Sequence, residues 1–179
     1  MVRSNTREEI LAAAARLFAT IGYKGTSLQV IAAAVGCSKA TLLYHFATKD
    51  DILATLVAPP ARDLAALAEK LDRLDAAAAR ELAIEGFVDL VLIYRQEISL
   101  IFHDMTYLFH APSFAELKVL SERLAIVLAG GSTDAQALLG VNVMMAGIAA
   151  VALDRPEHGD VDLRGALIGV ARRALVTNA

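Results

Sequence analysis

Apolar residues in this chain recur at spacings of three and four and almost never alternate strictly, so the pattern predicts helices from end to end. Ile10, Ala14, Leu17, Phe18 and Ile21 form a first stripe. Thr6 and Glu9 read as a capping box in front of it, and Gly22 ends it. Thr48 is placed to cap a later helix, with Asp50 and Asp51 in its positive first turn. Pro59-Pro60 predicts that this helix stops there, because a residue before proline is pushed out of the helical region. A separate helix is then expected over 60–74, with Pro60 in its first turn. Further helices are predicted over 77–95 (apolar candidates Leu82, Phe87, Leu90, Val91 and Tyr94), 97–110 and 113–129, the last broken by Gly130-Gly131. A Ser132 or Thr133 cap opens a helix running to about residue 153. After the polar loop 154–160 a final helix covers 161–176.

The densest signal lies between Gly25 and Asp50, where two short helices are joined by a tight turn. Thr26 or Ser27 can cap the first, whose apolar side is Leu28, Ile31, Ala32 and Val35. Gly36 supplies the turn, since a residue without Cβ takes positive φ freely. Ser38 can cap the second, with Leu42 and Phe46 four apart and facing inward. Small Ala32 sits where one helix passes close to the other. This is the pattern of a helix-turn-helix, whose second helix enters the DNA major groove.

Composition agrees with an all-α fold of one or two small domains: 179 residues, 56% hydrophobic and rich in Ala, the best helix former. The net charge of −3 does not favour generic nucleic-acid binding, but its distribution does. Residues 1–50 carry six Lys/Arg against three Asp/Glu, and the remainder eleven against seventeen. A head of +3 on a body of −6 fits a head that meets phosphate and a body that does not. The single cysteine, Cys37, excludes an intrachain disulfide and a thiolate zinc cluster, and reads as a small half-buried residue rather than a redox switch. No basic-then-apolar leader opens the sequence. The nineteen uncharged residues 135–153 reach membrane-spanning length. They are diluted by Gln136, Gly140, Asn142 and many Ala and lack flanking Lys/Arg or aromatic anchors, so they read as a helix buried in a bundle and dimer, with no membrane partner.

The string EEILAAAARLFATIGYKGTSLQVIAAAVGCSKATLLYHFATKDDIL closely resembles the N-terminal domain of the tetracycline-repressor (TetR) family of transcriptional regulators. The matching features are the Ala-rich first helix ending in LF, the G-Y-x-G-T-S link, the I-A-x-x-V-G approach to the turn, S-K-A-T-L, H-F and T-K-D. The resemblance covers about the first 53 residues. It implies about nine helices, with a helix-turn-helix DNA-binding domain over 1–50 and a helical ligand-binding and dimerisation domain over 51–179.

The resemblance implies that the second helix of the motif, opening at Ser38, reads bases through Lys39, Ala40 and Thr41 on its early turns. Lys39 can meet guanine or phosphate, Thr41 a phosphate or a thymine methyl, and Ala40 the methyl alone. Gln29 either pairs with adenine or, with Thr26 as cap, completes a capping box. Thr26, Ser27, Tyr44 and Lys49 match positions that hold phosphates, Lys49 at a helix N-terminus whose free amides attract the same group. His45 reads as a packing residue rather than a pH switch. Two departures stand out. Leu43 replaces the Tyr usual within the contact set, and Val30 stands where an acidic or polar residue is common.

The family works as homodimers on palindromic operators, with half-sites about 34–36 Å or more apart. Small residues let helix axes approach closely. The helices near 133–153 (Gly140, Ala146, Gly147, Ala149, Ala150) and 161–176 (Gly165, Ala166, Gly169, Ala171) are therefore the expected dimer surfaces, with packing inside one chain as the alternative.

A small hydrophobic effector is implied for the body, since an aromatic and Met lining with a few polar points suits one. The expected lining is Phe87, Tyr94, Phe102, His103, Met105, Tyr107, His110, Asn142 and Met145; plain core is the competing reading. His103 and His110 are two helical turns apart, about 10 Å of rise, too far for easy joint ligation, so no metal and no cofactor is expected. No nucleophile triad, paired-carboxylate motif or phosphate loop supports an enzyme, and an architectural binder would be basic throughout. The sequence thus reads as a cytoplasmic bacterial regulator, found with the nucleoid when on its operator. It is expected to be a repressor released by its effector, with an activator or a regulator lacking a ligand as alternatives.

Overall fold

A computed structural model of the chain describes residues 3–103, 111–154 and 163–176. The described residues form nine α-helices and one 3-10 turn, with no strand: α1 (Arg3–Ile21), α2 (Leu28–Val35), α3 (Lys39–His45), α4 (Lys49–Leu71), α5 (Ala76–Ile93), α6 (Arg95–His103), the 3-10 turn Pro112–Phe114, α7 (Ala115–Leu128), α8 (Ala135–Asp154) and α9 (Leu163–Val176). The all-α reading holds. Two compact units emerge. The first contains residues 1–59 and 96–116, the second 60–95 and 117–179. The division expected at residue 50 falls inside the first turn of α4.

In the first unit, Ile10, Ala13, Ala14 and Phe18 of α1 are buried with Ile31, Ala32, Leu42, Phe46, Ile52, Leu53 and Val57. Ile21 ends the predicted stripe but is 53% exposed, at the last turn of the helix. The expected capping box at Thr6 and Glu9 does not form, because α1 begins at Arg3 and Thr6 lies inside it. No Gly or Pro precedes Thr6 to stop the helix from extending by a turn, and a capping box favours a start without forbidding a longer one.

α4 corrects the largest expectation, since it runs unbroken through Pro59-Pro60. Its buried positions are Ile52, Leu53, Val57, Ala61, Leu64, Leu67, Ala68 and Leu71, in continuous three-four register across the prolines. Two missing N–H donors and the pre-proline bias are local costs. The continuous buried stripe outweighs them, and Pro60 is itself buried within it.

The second unit is built on α5, whose Ala79, Ala83, Ile84, Phe87, Val88 and Val91 are buried, while Leu82 and Leu90 are half-buried. α9 and α8 pack against it. Asp75 caps α5 by accepting from the amides of Ala77 (3.0 Å) and Ala78 (2.9 Å), and Tyr94 is its C-cap. α7 ends in a Schellman-type turn, with Gly130 at φ +69° and the Gly131 amide donating to the Ile126 carbonyl at 2.9 Å. α8 is capped by Asp134, not by the expected Ser132 or Thr133. Its carboxylate accepts from the amides of Gln136 and Ala137 at 2.9 and 3.1 Å, while the Ser132 hydroxyl accepts from the Asp134 amide. The carboxylate combines the capping bond with a charge that suits a helix N-terminus.

Charged side chains tie α5 to α9. Arg164 grips Asp89 with two bonds of 2.6 and 2.9 Å, and Arg172 reaches Glu81 and Glu85. Arg80 donates to the carbonyls of Leu128 (2.9 Å) and Leu175 (2.5 Å), so one guanidinium serves the C-terminal ends of α7 and α9. There it offsets the partial negative charge of both helices.

Candidate nucleic-acid interface

The motif is assembled from local chemistry. Ser27 has extended backbone and its hydroxyl accepts from the Val30 amide at 3.2 Å, so Ser27 and not Thr26 caps α2. α2 buries Ile31 and Ala32 and stops at Gly36, left-handed at φ +75°. The Cys37 amide there donates to the Ala32 carbonyl at 3.0 Å. Ser38 caps α3 by accepting from the Thr41 amide at 3.0 Å, and its hydroxyl shares a 2.8 Å bond with that of Thr41. Leu42 is fully buried and Phe46, the C-cap, nearly so, with the Arg7 guanidinium 4.9 Å above its ring. Thr48 and Asp51 then form a reciprocal box at the start of α4: the Thr48 amide donates to the carboxylate at 2.8 Å and the Asp51 amide to the Thr48 hydroxyl at 3.1 Å.

With Leu42 and Phe46 turned in, α3 turns Lys39, Ala40, Leu43 and Tyr44 outward. Ser38 and Thr41 are also exposed. Leu43 is 43% and Tyr44 73% exposed, Tyr44 edge-on to the half-buried His45 at 5.2 Å. On α2, Gln29 and Val30 are exposed beside Ser27. Because Ser27 is the cap, Gln29 is the second helical residue and not the third. The capping-box alternative for Gln29 therefore falls away and its amide points outward.

Two residues of the expected contact set are turned inward. Thr26 is 1% exposed and its hydroxyl donates to the Gly22 carbonyl at 2.8 Å. Lys49 is half-buried, its ammonium bonded to the carbonyls of Tyr23 (2.5 Å) and Thr26 (2.8 Å). Tyr23, overlooked in the sequence reading, is the buried centre of this link, 5.1 Å from the Phe18 ring. The G-Y-x-G-T string carried the signal but not the partner, which lies 26 residues away.

A short helix with an exposed polar N-terminal face, set on a second helix across a glycine turn, matches a known DNA-reading domain. Residues 10–56 match the family model for bacterial regulatory proteins of the tetR family. Over these residues the chain carries the DNA-binding domain of that family. It is a DNA-binding transcriptional regulator. No curated protein matches it. Solved structures similar to this regulator include the ketosteroid transcriptional regulator KstR2 of Mycobacterium tuberculosis (TM-score 0.71, 18% identity, 96% of this chain and 93% of that one). Two TetR-family regulators are equally similar by TM-score. One is SCO3833 from Streptomyces coelicolor A3 (0.71, 20% identity, 93% and 89%), and the other comes from Bordetella parapertussis 12822 (0.71, 19%, 96% and 94%). At these identities the likeness is one of fold.

Only part of the expected effector lining falls within the described residues. Met105, Tyr107 and His110 lie outside them, as do the side chains of Phe102 and His103. Phe87 is buried in the second unit, and the Tyr94 hydroxyl donates to the Asp63 carboxylate at 2.5 Å. Met145 is half-buried. Asn142 is exposed beside Val143 on the outer face of α8, so it does not line an interior pocket of that unit. The helix period explains the correction: Val141, Met144 and Ile148 take the inner face and leave Asn142 outside. One shallow cleft of the second unit, enclosing about 10 Å³, is lined by Leu64, Ala68, Leu71, Leu124, Val127 and the Asp72–Arg123 ion pair. It is smaller than the usual ligand pocket.

Proposed function

We propose that this regulator is a ligand-responsive repressor that binds a palindromic operator as a homodimer through α3 and is released by a small hydrophobic effector. The observation that carries the reading is the outward face of α3. Lys39 and Tyr44 offer donors there and Ala40 and Leu43 offer methyl groups, all held by the Ser38 cap and the buried Leu42. A rigid helix with mixed polar and methyl chemistry is what base edges in the major groove require.

Dimerisation is supported by a second surface. α8 exposes Leu139 (63%), Val143 (65%) and Val151 (42%) with Ala146, Gly147 and Ala150, and α9 exposes Val170 (46%) with Ala166. A Cβ built on Gly147 would meet open space, so nothing among the described residues requires the glycine. A second copy of the chain approaching closely would. α8 is also long and apolar enough to cross a membrane, and a partner protomer covering its outer face accounts for that composition.

The test is a mobility shift with the regulator's own upstream DNA across a range of salt concentrations, with a panel of hydrophobic compounds, on protein whose mass in solution is measured alongside. Expected are a dimeric mass, a salt-sensitive specific shift and its release by one compound class. A monomer at micromolar concentration, or no preference over random DNA, overturns the reading.

A further inference from the structure

Among the seven residues of α3, Leu43 is the large side chain with neither a place in the core nor a polar group to offer. It is 43% exposed, while Leu42 beside it is fully buried and Phe46 nearly so. Those two inward residues fix the rotation of the helix, and Leu43 falls on its outer side. Residues three and four apart share a helix face. Leu43 therefore stands one turn after Ala40 and Lys39, both exposed. The outward face of α3 carries an apolar strip from Ala40 to Leu43, with the Lys39 side chain beside it. The polar groups of the helix flank this strip. The Ser38 and Thr41 hydroxyls bond each other at the cap, and the Tyr44 ring lies edge-on to His45 at 5.2 Å.

A singly exposed leucine is ordinary on a protein surface. Its place on the face that reads DNA is what gives this one a consequence. Leucine neither donates nor accepts, so it cannot bond a phosphate oxygen or the polar edge of any base. Laid on such an edge it takes water away and returns no hydrogen bond, which lowers affinity. One group in the major groove suits it, the C5 methyl of a pyrimidine, carried by thymine and by 5-methylcytosine. Contact there removes apolar surface of both partners from water. The same side chain thus favours a methyl-bearing base and disfavours the alternatives, and specificity is the difference between the two.

Resting on the reading of α3 as the helix that enters the operator major groove, we propose that Leu43, extended by the Ala40 methyl, is a specificity-determining residue. It reads a pyrimidine C5 methyl, that of thymine in unmodified DNA, at one position of each half-site. The operator is selected there by a methyl group and not by a hydrogen bond.

The probe is a duplex selected from a random-sequence pool by the full-length protein, with each thymine then replaced in turn by uracil. Uracil removes the methyl and leaves base pairing as it was. At one position of a half-site the change should weaken binding about fourfold, the worth of one buried methyl group, and about fifteenfold with both half-sites changed. In Leu43→Ala the same replacement should lose most of its effect, which assigns the contact by a double-mutant cycle. Leu43→Met, which keeps an apolar reach, should retain the preference. Both variants should melt as the parent does, because the side chain lies outside the core. Exchanging that T·A pair for C·G and for 5-methylcytosine·G separates the two sources. Recovery with the methylated cytosine means that the methyl of either base is read, and no recovery confines the reading to thymine.

Equal binding of thymine and uracil at every position, or a uracil effect as large in Leu43→Ala as in the parent, overturns the proposal. The uracil scan on the unmodified protein stands whatever the variants do. Failure to select any sequence overturns the DNA reading and this inference with it, whereas a selected operator indifferent to its methyl groups removes this inference alone.

Discussion

The seven-residue α3 of the first unit and the twenty-residue α8 of the second are stabilised in opposite ways. α3 is far shorter than the roughly 12–15 residues an isolated helix needs in water. It exists because its ends are specified: the Ser38 hydroxyl meets the Thr41 amide, the Phe46 amide returns to the Leu42 carbonyl at 2.9 Å, and Leu42 is fully buried. α8 carries few such devices beyond Asp134. Its hold is area, through Val141, Met144, Ile148, Ala149 and Ala152, and its other side is largely apolar too, with Leu139, Val143 and Val151 exposed. Punctuated local chemistry builds a reading head whose geometry is set within about thirty residues. Area and distant charge pairs build a body whose partners are scattered along the chain.

Four substitutions break or sharpen this contrast. The largest effect is expected for Phe18→Ala, which empties a fully buried site against Tyr23. It should cost about 3–5 kcal/mol in urea unfolding and loosen the 22–26 link with it. Arg80→Ala comes next. It leaves the carbonyls of Leu128 and Leu175 without their shared donor, and should cost about 1–3 kcal/mol by thermal or urea unfolding, with faster amide exchange at the ends of α7 and α9. An unchanged melting curve would mean water replaces the guanidinium at no loss.

Gly36→Ala forces a left-handed backbone on a residue with a Cβ, in open space, so strain alone is tested. A loss of about 1–2 kcal/mol is expected in the head's unfolding transition. The smallest effect belongs to the α5–α9 charges. Hydrogen bonds from Arg164 hold the Asp89 carboxyl below its ordinary 3.8, against the opposing effect of burial. A lowered folded-state pKa adds stability above the unfolded value, and that stability is lost as pH falls through the folded one. Since both side chains are more than 40% exposed, Asp89→Asn should cost well under about 1 kcal/mol at neutral pH. It should also flatten the acid limb of the stability curve. An acid limb identical to the parent's would show that the pair adds nothing.

The legible part of the fold and of the interface was the part encoded locally. Gly36 and Ser38 announce a turn and a cap, and Leu42 and Phe46 declare an inward face, because each effect acts within four residues. Gln29 was ambiguous only while the cap could be either Thr26 or Ser27. The misreadings have a common cause. Pro59-Pro60 is a genuine local break signal, overridden by a buried stripe from Ile52 to Leu71 that only the packed structure weighs against it. Thr26 and Lys49 look like surface contacts until the 22–26 link folds back and gives each a carbonyl. In the body, the identical period of core and outward faces hid which side of α8 Asn142 would occupy.

By itself the sequence determined the helical class, the turn that makes a DNA-reading head, and the separation of a basic head from an acidic body, since propensity, capping and charge are properties of neighbours. Only the tertiary structure decided that α4 passes through its prolines, that Arg80 serves two helix ends 48 and 95 residues away, and that Lys49 is tied inward. Each depends on burial and partners that exist only once distant segments have met.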